Sequence, residues 1–352
     1  MTSRRALIVL SLVVVALTIS ASLDALARAL PAGARVVAFV SAGTPERVTL
    51  VGRALTDPPP PRNAGFFSTV FTNVDVIESD ELPSVPLTIT LGDERYTTRT
   101  DGDGLFSLDV KPARALDVGT TRFTVQFGDV HLADDRTAHE GTVVVVDPAP
   151  GVAVVSDFDD TIVNTYVRDK TRMLALVVTA GAEDLEVVPS ASRAYSLARD
   201  AGARAFFYVS GSPLALYERI ARVLDEGGFP KGPILLKNLG EDSLFAHEEY
   251  KLGRIEALLE RYPDLSFVLV GDSGEKDPEI YAELRRRHGD RVAAILIRRA
   301  PMTDVDHGRF KGMFVVDDHA RRPELLADLV RAAERARARR ALTDRSSHPQ
   351  SP

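Results

Sequence analysis

The 352-residue chain is long enough for about two domains at roughly 150 residues each. Its 43 lysines and arginines against 50 aspartates and glutamates leave a formal net charge of −7, which argues against a dedicated nucleic-acid binder. The absence of cysteine rules out a disulfide framework, a thiolate nucleophile, a zinc–thiolate site and an iron–sulfur cluster, and the absence of tryptophan disfavours a base-stacking surface.

At the N-terminus, Arg4 and Arg5 precede an uncharged apolar run over 6–23, followed by small residues at Ser20, Ala21, Ser22, Ala25 and Ala27. A basic start, an apolar stretch and small-residue cleavage options form a secretory signal. The run also has about the length needed to cross a bilayer. Residues 1–30 therefore read as a signal peptide or membrane anchor, with the rest of the chain extracytoplasmic.

Residues 36–148 carry short runs rich in Val, Thr, Phe and Leu at 35–40, 48–54, 87–91, 96–100, 105–110, 122–127 and 141–146. Regularly spaced short strands with turn signals predict a small antiparallel β-sandwich of transthyretin-like or immunoglobulin-like type. Asp101-Gly102-Asp103-Gly104 predicts a hairpin turn. It is not an EF-hand loop, because Phe106 and Pro112 stand where glycine and glutamate are required. Pro58 to Pro61 predict a stiff surface segment.

From Gly151 onward the pattern changes. Runs at 152–156, 203–210, 266–272 and 292–298 are continuously apolar, as in strands buried on both faces, with 312–317 as a fifth. Helical stretches at 190–200, 213–226, 248–262 and 278–288 separate them. Strands alternating with helices predict a parallel sheet in a three-layer Rossmann-like α/β domain over 150–320, preceded by the smaller sandwich. Residues 321–352 predict a terminal helix over 323–341 and a disordered tail. The arginines at 335, 337, 339 and 340 read as a solvated helix end or as a contact with an anionic membrane surface.

In such sheets the chemistry lies beyond the carboxyl ends of the strands. The first apolar run there ends in Ser156-Asp157-Phe158-Asp159-Asp160-Thr161, the second in Ser210-Gly211-Ser212-Pro213 and the third in Gly271-Asp272-Ser273-Gly274-Glu275-Lys276-Asp277. Asp157 and Asp159 share one face of an extended segment, and carboxylates so close repel unless a cation or proton sits between them. A hard divalent cation such as Mg²⁺ suits them, and Asp272 arrives at the same edge. Ser210 supplies a hydroxyl. The Gly211 amide precedes a helix expected to start near Pro213, a place that suits an anionic oxygen. Lys251 adds a positive charge. Taken singly each motif is weak: Asp-x-Asp is often a solvated turn, Ser-Gly-Ser a helix cap, Lys251 a solvated lysine. Their occurrence in order at successive element ends is what carries the signal.

Asp157-x-Asp159-x-Thr161, Ser210, Lys251 and the Asp272/Asp277 pair resemble the four motifs of the haloacid dehalogenase (HAD) superfamily. Ser-Asp-x-Asp-Asp-Thr-Ile, Val-Ser-Gly-Ser-Pro and Gly-Asp-Ser-Gly-x-x-Asp-Pro-Glu-Ile-Tyr further resemble the catalytic domain of the actin-patch phosphatidate phosphatase family. The resemblance implies a phosphatase in which Asp157 is the nucleophile and Asp159 the general acid/base. It implies that Ser210, Gly211 and Lys251 hold the phosphoryl group, and that Mg²⁺ is bound by Asp157, Asp159 and Asp272. Thr161 would support the loop and Asp277 would orient Lys251 or a metal-bound water.

Residues 164–189 and 227–249 are too short for a bulky α/β lid, and the run at 234–236 reads as part of a small cover. A thinly covered site favours a lipid phosphate, phosphatidate first. The alternatives are a soluble or macromolecular phosphate monoester, and an exported binding protein without catalysis.

Overall fold

The computed structural model describes residues 30–31, 33–56, 81–128, 138–158, 161–164, 186–187, 191–238, 247–300, 308–317 and 322–347. The expectations for the N-terminal segment at 1–29, the proline run at 58–61, Asp159, the stretch 165–185 and the tail beyond 347 fall outside these residues. Among the described residues no helix is long and apolar enough to cross a membrane.

The first region contributes β1 (Arg35–Ala38), β2 (Ser41–Thr44), β3 (Arg47–Leu55), β4 (Pro86–Leu91), β5 (Glu94–Arg99), β6 (Leu105–Val110), β7 (Gly119–Phe127) and β8 (His139–Val145). Two-residue periodicity drives their burial. Leu87, Ile89 and Leu91 of β4 are buried while Thr88 and Thr90 are half-buried. The core beneath holds Val48, Leu50, Ile89, Phe106, Phe123, Val125 and Val143.

The second region is built on β9 (Gly151–Asp157), β12 (Phe206–Pro213), β13 (Ile234–Lys237), β14 (Leu265–Asp272), β15 (Val292–Arg298) and β16 (Phe314–Val316), all parallel, in the order β13-β12-β9-β14-β15-β16. A small antiparallel pair, β10 (Val163–Asn164) with β11 (Glu186–Val187), stands apart. Helices α1 (Ala191–Asp200), α2 (Tyr217–Glu226), α3 (His247–Arg261), α4 (Asp277–His288) and α5 (Leu325–Ser347) flank the parallel sheet. Apolar side chains of α1, α2 and α5 pack on one face, with Val152 and Val154. Those of α3 and α4 pack on the other, with Ala153 and Val155.

This topology overturns the expected three-layer Rossmann-like domain behind a smaller antiparallel sandwich. The first region is one eight-stranded sheet, more strands than the second, and it is mixed because β2 runs parallel to β8. Residues of that region also cover parts of both faces of the parallel sheet: Phe39 enters one apolar cluster, Val144 and Val146 the other. The protein is thus a two-sheet assembly sharing its cores. The hairpin expectation at 101–104 fails too, because β6 pairs with β3 and not with β5. Asp101 Oδ1 accepts the amides of Asp103 and Leu105, and this turn hands the chain from β5 to β6, which pairs with β3. Gly104 has φ +69°, and a Cβ there would lie 2.6 Å from the Ala54 carbonyl oxygen.

Polar contacts fix the two regions together at α2 and β13. Arg35 donates to both carboxylate oxygens of Glu218 at 2.9 and 2.7 Å, and the Val40 amide donates to Tyr217 Oη at 2.6 Å. Phe39 stacks on the Tyr217 ring at 4.0 Å. Asn238 Nδ2 donates to Asp103 Oδ2 at 2.7 Å, bringing the 101–104 turn to the carboxyl end of β13. At the C-terminus, Arg337 pairs with Glu334 and Arg340 with Asp290.

Candidate active site

The central strand β9 is buried throughout and ends on Asp157. Its parallel neighbours bring their own ends level with it: Val209 of β12 lies beside Asp157, and Val270 of β14 beside Ser156. Ser210 and Asp272 therefore emerge on either side of Asp157, as the polar ends of apolar strands must when the core stops there.

Lys251, on the second turn of α3, reaches this edge with its side chain almost fully buried. Its Nζ lies 2.7 Å from Asp157 Oδ1, 2.8 Å from Asp277 Oδ1 and 3.2 Å from Glu275 Oε2. Burial depresses the lysine, but the charges of Asp157, Asp277 and Glu275 outweigh it and hold the ammonium well above its ordinary value. Asp277 Oδ2 accepts the Asp272 amide at 3.2 Å, so one carboxylate ties the lysine to the end of β14. Thr161 Oγ1 donates to Asp157 Oδ2 at 3.4 Å, and Ser156 Oγ donates to the Asp157 carbonyl at 2.6 Å.

Asp157, Asp272 and Asp277 each place a carboxylate oxygen within 4.8 Å of the others. Burial, then the neighbouring Asp277 charge, push the Asp272 carboxyl well above the ordinary carboxylate range, with Lys251 pulling the other way. Asp272 Oδ2 accepts the Gly274 amide at 2.6 Å, whereas Asp272 Oδ1 is buried with no hydrogen-bond partner. An orphaned buried carboxylate oxygen among two others is a donor set that fits a hard divalent cation.

Two glycines make room for this arrangement. A Cβ on Gly271 would lie 2.3 Å from Asp277 Oδ2 and 2.8 Å from the Tyr281 ring, and one on Gly274 would lie 2.8 Å from Asp272 Oδ2. Gly271→Ala is therefore expected to displace Asp277 from Lys251 and cost about 1–3 kcal/mol of stability, read by urea unfolding. Unchanged stability would contradict this packing.

The expected helix start at Pro213 is not found. Strand β12 continues through Pro213, a 3₁₀ turn covers Leu214–Leu216, and α2 begins at Tyr217. The Gly211 amide therefore gains nothing from a helix N-terminus. Instead 210–212 bulges: Val209 pairs with Leu235 and Pro213 with Lys237, so β12 takes four steps where β13 takes two. The Ser212 amide donates to Ser210 Oγ at 2.9 Å across the bulge. Bulges re-aim side chains and backbone at strand ends.

The run at 234–236, expected to form part of a cover, is instead the edge strand β13, which ends on Lys237, a fully buried residue. Sequence reading also passed over Glu275 and Arg309. Arg309 donates to the Ser273 carbonyl at 2.9 Å and to Glu279 Oε1 at 2.6 Å, clamping the loop that carries Asp272 to Asp277. Asp159 lies outside the described residues.

Residues 152–299 match the family model described as "Phosphatidate phosphatase APP1, catalytic domain". This segment is similar to that catalytic domain. A curated relative, "Phosphatidate phosphatase APP1" of Saccharomyces cerevisiae, is 32% identical over 152 residues, 42% of this chain and 26% of the relative. An uncharacterised protein of Schizosaccharomyces pombe is 27% identical over 156 residues, 42% of this chain and 25% of its own length. The chain thus spans about a quarter of the length of these relatives. Among solved structures, that of DsGPDH of Dunaliella salina has a TM-score of 0.34 at 14% identity, covering 48% of this chain and 35% of that one, too low to carry any argument.

Proposed function

We propose that the protein is a Mg²⁺-dependent phosphatase acting on phosphatidate, working through a phosphorylated Asp157. The single observation that carries this reading is the meeting of Asp157, Asp272 and Asp277 around Lys251 at the carboxyl edge of the parallel sheet. The likeness of 152–299 to that catalytic domain supports the substrate class.

In this reading the Asp157 carboxylate attacks phosphorus, the ester oxygen departs as the alcohol with a proton from Asp159, and an acyl-phosphate remains. Asp159 then takes a proton from water as the water attacks phosphorus, releasing inorganic phosphate and restoring Asp157. The Ser210–Ser212 bulge would present the Ser210 hydroxyl and the Gly211 amide to the phosphoryl oxygens. Thr161 and Lys251 hold Asp157 in place, and Asp277 holds Lys251. Asp157 and Asp272, with Asp159, would hold Mg²⁺, which when bound neutralises phosphoryl charge. The N-terminal apolar segment would place the enzyme outside the cytoplasm at a membrane, and the arginines of α5 would contact anionic lipid.

The test is a phosphate-release panel on phosphatidate mixed micelles and soluble monoesters, with and without MgCl₂. Magnesium-dependent release that favours phosphatidate is expected. A strong preference for soluble esters would overturn the lipid assignment, and equal rates in a chelator would overturn the metal.

A second prediction follows from the raised Asp272 carboxyl. Without metal the unfolded chain releases this proton first, so this carboxyl's contribution to stability falls as pH climbs from the ordinary carboxylate range toward the raised value. A bound cation favours the ionised form and reverses that slope. MgCl₂ should therefore raise Tm, more at neutral than at acidic pH, and Asp272→Asn should abolish the rise. A Tm indifferent to MgCl₂ in the wild-type protein would contradict the metal site.

A further inference from the structure

Four carboxylates, those of Asp157, Asp272, Glu275 and Asp277, crowd this edge around one ammonium, and Lys251 already serves three of them. Even a divalent cation at the aspartates leaves the site poor in positive charge for a phosphate dianion. A second cation beside the Ser210–Ser212 bulge would add to that charge, and β13 carries a lysine to this edge of the sheet.

Lys237 ends β13, its Cα partnered with Pro213 at the far side of the bulge. Like Lys251 it is fully buried, and it ends its strand at the carboxyl edge of the sheet. Alternation fixes its face. Leu236 packs with the cluster of α1 and α2, while Leu235 packs with that of α3 and α4. Lys237, one step beyond Leu236, returns to the α3 side, where its Nζ stands 5.6 Å from the centre of the Tyr250 ring. Along β9, Val155 belongs to that same side, and Asp157 follows it two residues on, facing Lys251 of α3. Lys237 and Asp157 thus project from one face of the sheet, two strands apart, with β12 and its bulge between them. Gly211 is the half-buried position of an otherwise buried β12, so the bulge opens there.

We propose that Lys237 is a second phosphate-binding residue, gripping the non-reacting oxygens of the substrate's phosphate across the Ser210–Ser212 bulge from Asp157. This deepens the phosphatase reading and rests on it for the substrate, not for the binding of phosphate itself. Desolvating an ammonium is costly. The ring of Tyr250, next to Lys251 in sequence, offsets part of that cost, and the Asn238–Asp103 hydrogen bond pins the strand end that carries the lysine.

The test compares the full chain with Lys237→Met, Lys237→Arg and the surface control Lys231→Met. Two quantities are measured: the inhibition constant of inorganic phosphate against phosphatidate hydrolysis, and the dissociation constant of inorganic phosphate by calorimetry. Losing one charge-assisted contact should weaken phosphate by about tenfold to a hundredfold in Lys237→Met and raise KM alike, with kcat changed far less. Lys237→Arg should recover part of that loss, and Lys231→Met should change nothing. Unchanged phosphate affinity with lowered kcat in Lys237→Met would overturn the proposal. Should Lys237→Met not fold, Lys237→Arg decides: a fixed guanidinium fork in an ammonium slot should shift phosphate affinity, and an unchanged constant would overturn the assignment. If the wild-type protein hydrolyses no ester yet binds phosphate through Lys237, the catalytic reading fails and this one stands.

Discussion

Asp157→Asn should abolish phosphate release while leaving the fold intact. Asparagine has the same shape, and its amide oxygen can still accept from Lys251, which lies 2.7 Å from Asp157 Oδ1, while its amide nitrogen takes the Oδ2 place and can donate to the Thr161 hydroxyl, 3.4 Å away. What it lacks is a carboxylate able to attack phosphorus. Loss of a nucleophile that acts together with its neighbours costs about 10⁴-fold or more in kcat. The expected result is turnover near background on every ester in the panel, with Tm close to wild type. Activity within about tenfold of wild type would remove Asp157 from the chemistry.

Lys251→Met should produce the largest loss of stability. The ammonium is 2% exposed and touches three carboxylates, two of them wholly buried. Methionine fills the volume but leaves Asp157 and Asp277 facing each other with no counter-charge, and breaking a buried pair in this way costs about 3–5 kcal/mol. The pH dependence has a definite sign. Without the lysine these carboxyls hold their protons to higher pH in the folded state, so the variant's deficit is greatest at neutral pH and narrows under acid conditions, where both are neutral. Urea unfolding at neutral and acidic pH reads both effects. A variant as stable as wild type at neutral pH would show that the ion cluster does not hold this edge together.

Much of the parallel sheet is legible from composition. The run of 151–157 is apolar up to Ser156 because β9 is buried on both faces, and it stops at Asp157 because the core stops there. The same logic exposes Asp272 at the end of β14. Lys251 is different: by itself it reads as a solvated helix lysine, and only the order of the other motifs gives it meaning. Lys237 carries no such motif, and β13 is four residues long, too short for periodicity to distinguish a strand from a loop. Pro213 misleads in the opposite sense. Proline suits a first helical turn, yet here it follows a bulge that pairing with β13 creates, and pairing between distant strands is not written in local sequence.

The first sheet shows the same division. The alternation in β4 and β6 is plain, and both strands form. β2, with the sequence Ser-Ala-Gly-Thr, has almost no strand propensity, and tertiary packing makes it one. A Cβ on its Gly43 would stand 2.2 Å from the Arg47 carbonyl oxygen, a closeness that only the fold reveals. That parallel pairing of β2 with β8 turns the expected sandwich into a mixed sheet.

The most direct test of the central claim is to quench the protein in acid during turnover of phosphatidate with MgCl₂ and map the adduct by peptide mass spectrometry. The peptide bearing Asp157 should carry one phosphoryl group on that residue, absent without magnesium and absent in Asp157→Asn. Turnover with the phosphoryl group found on another side chain would contradict the account.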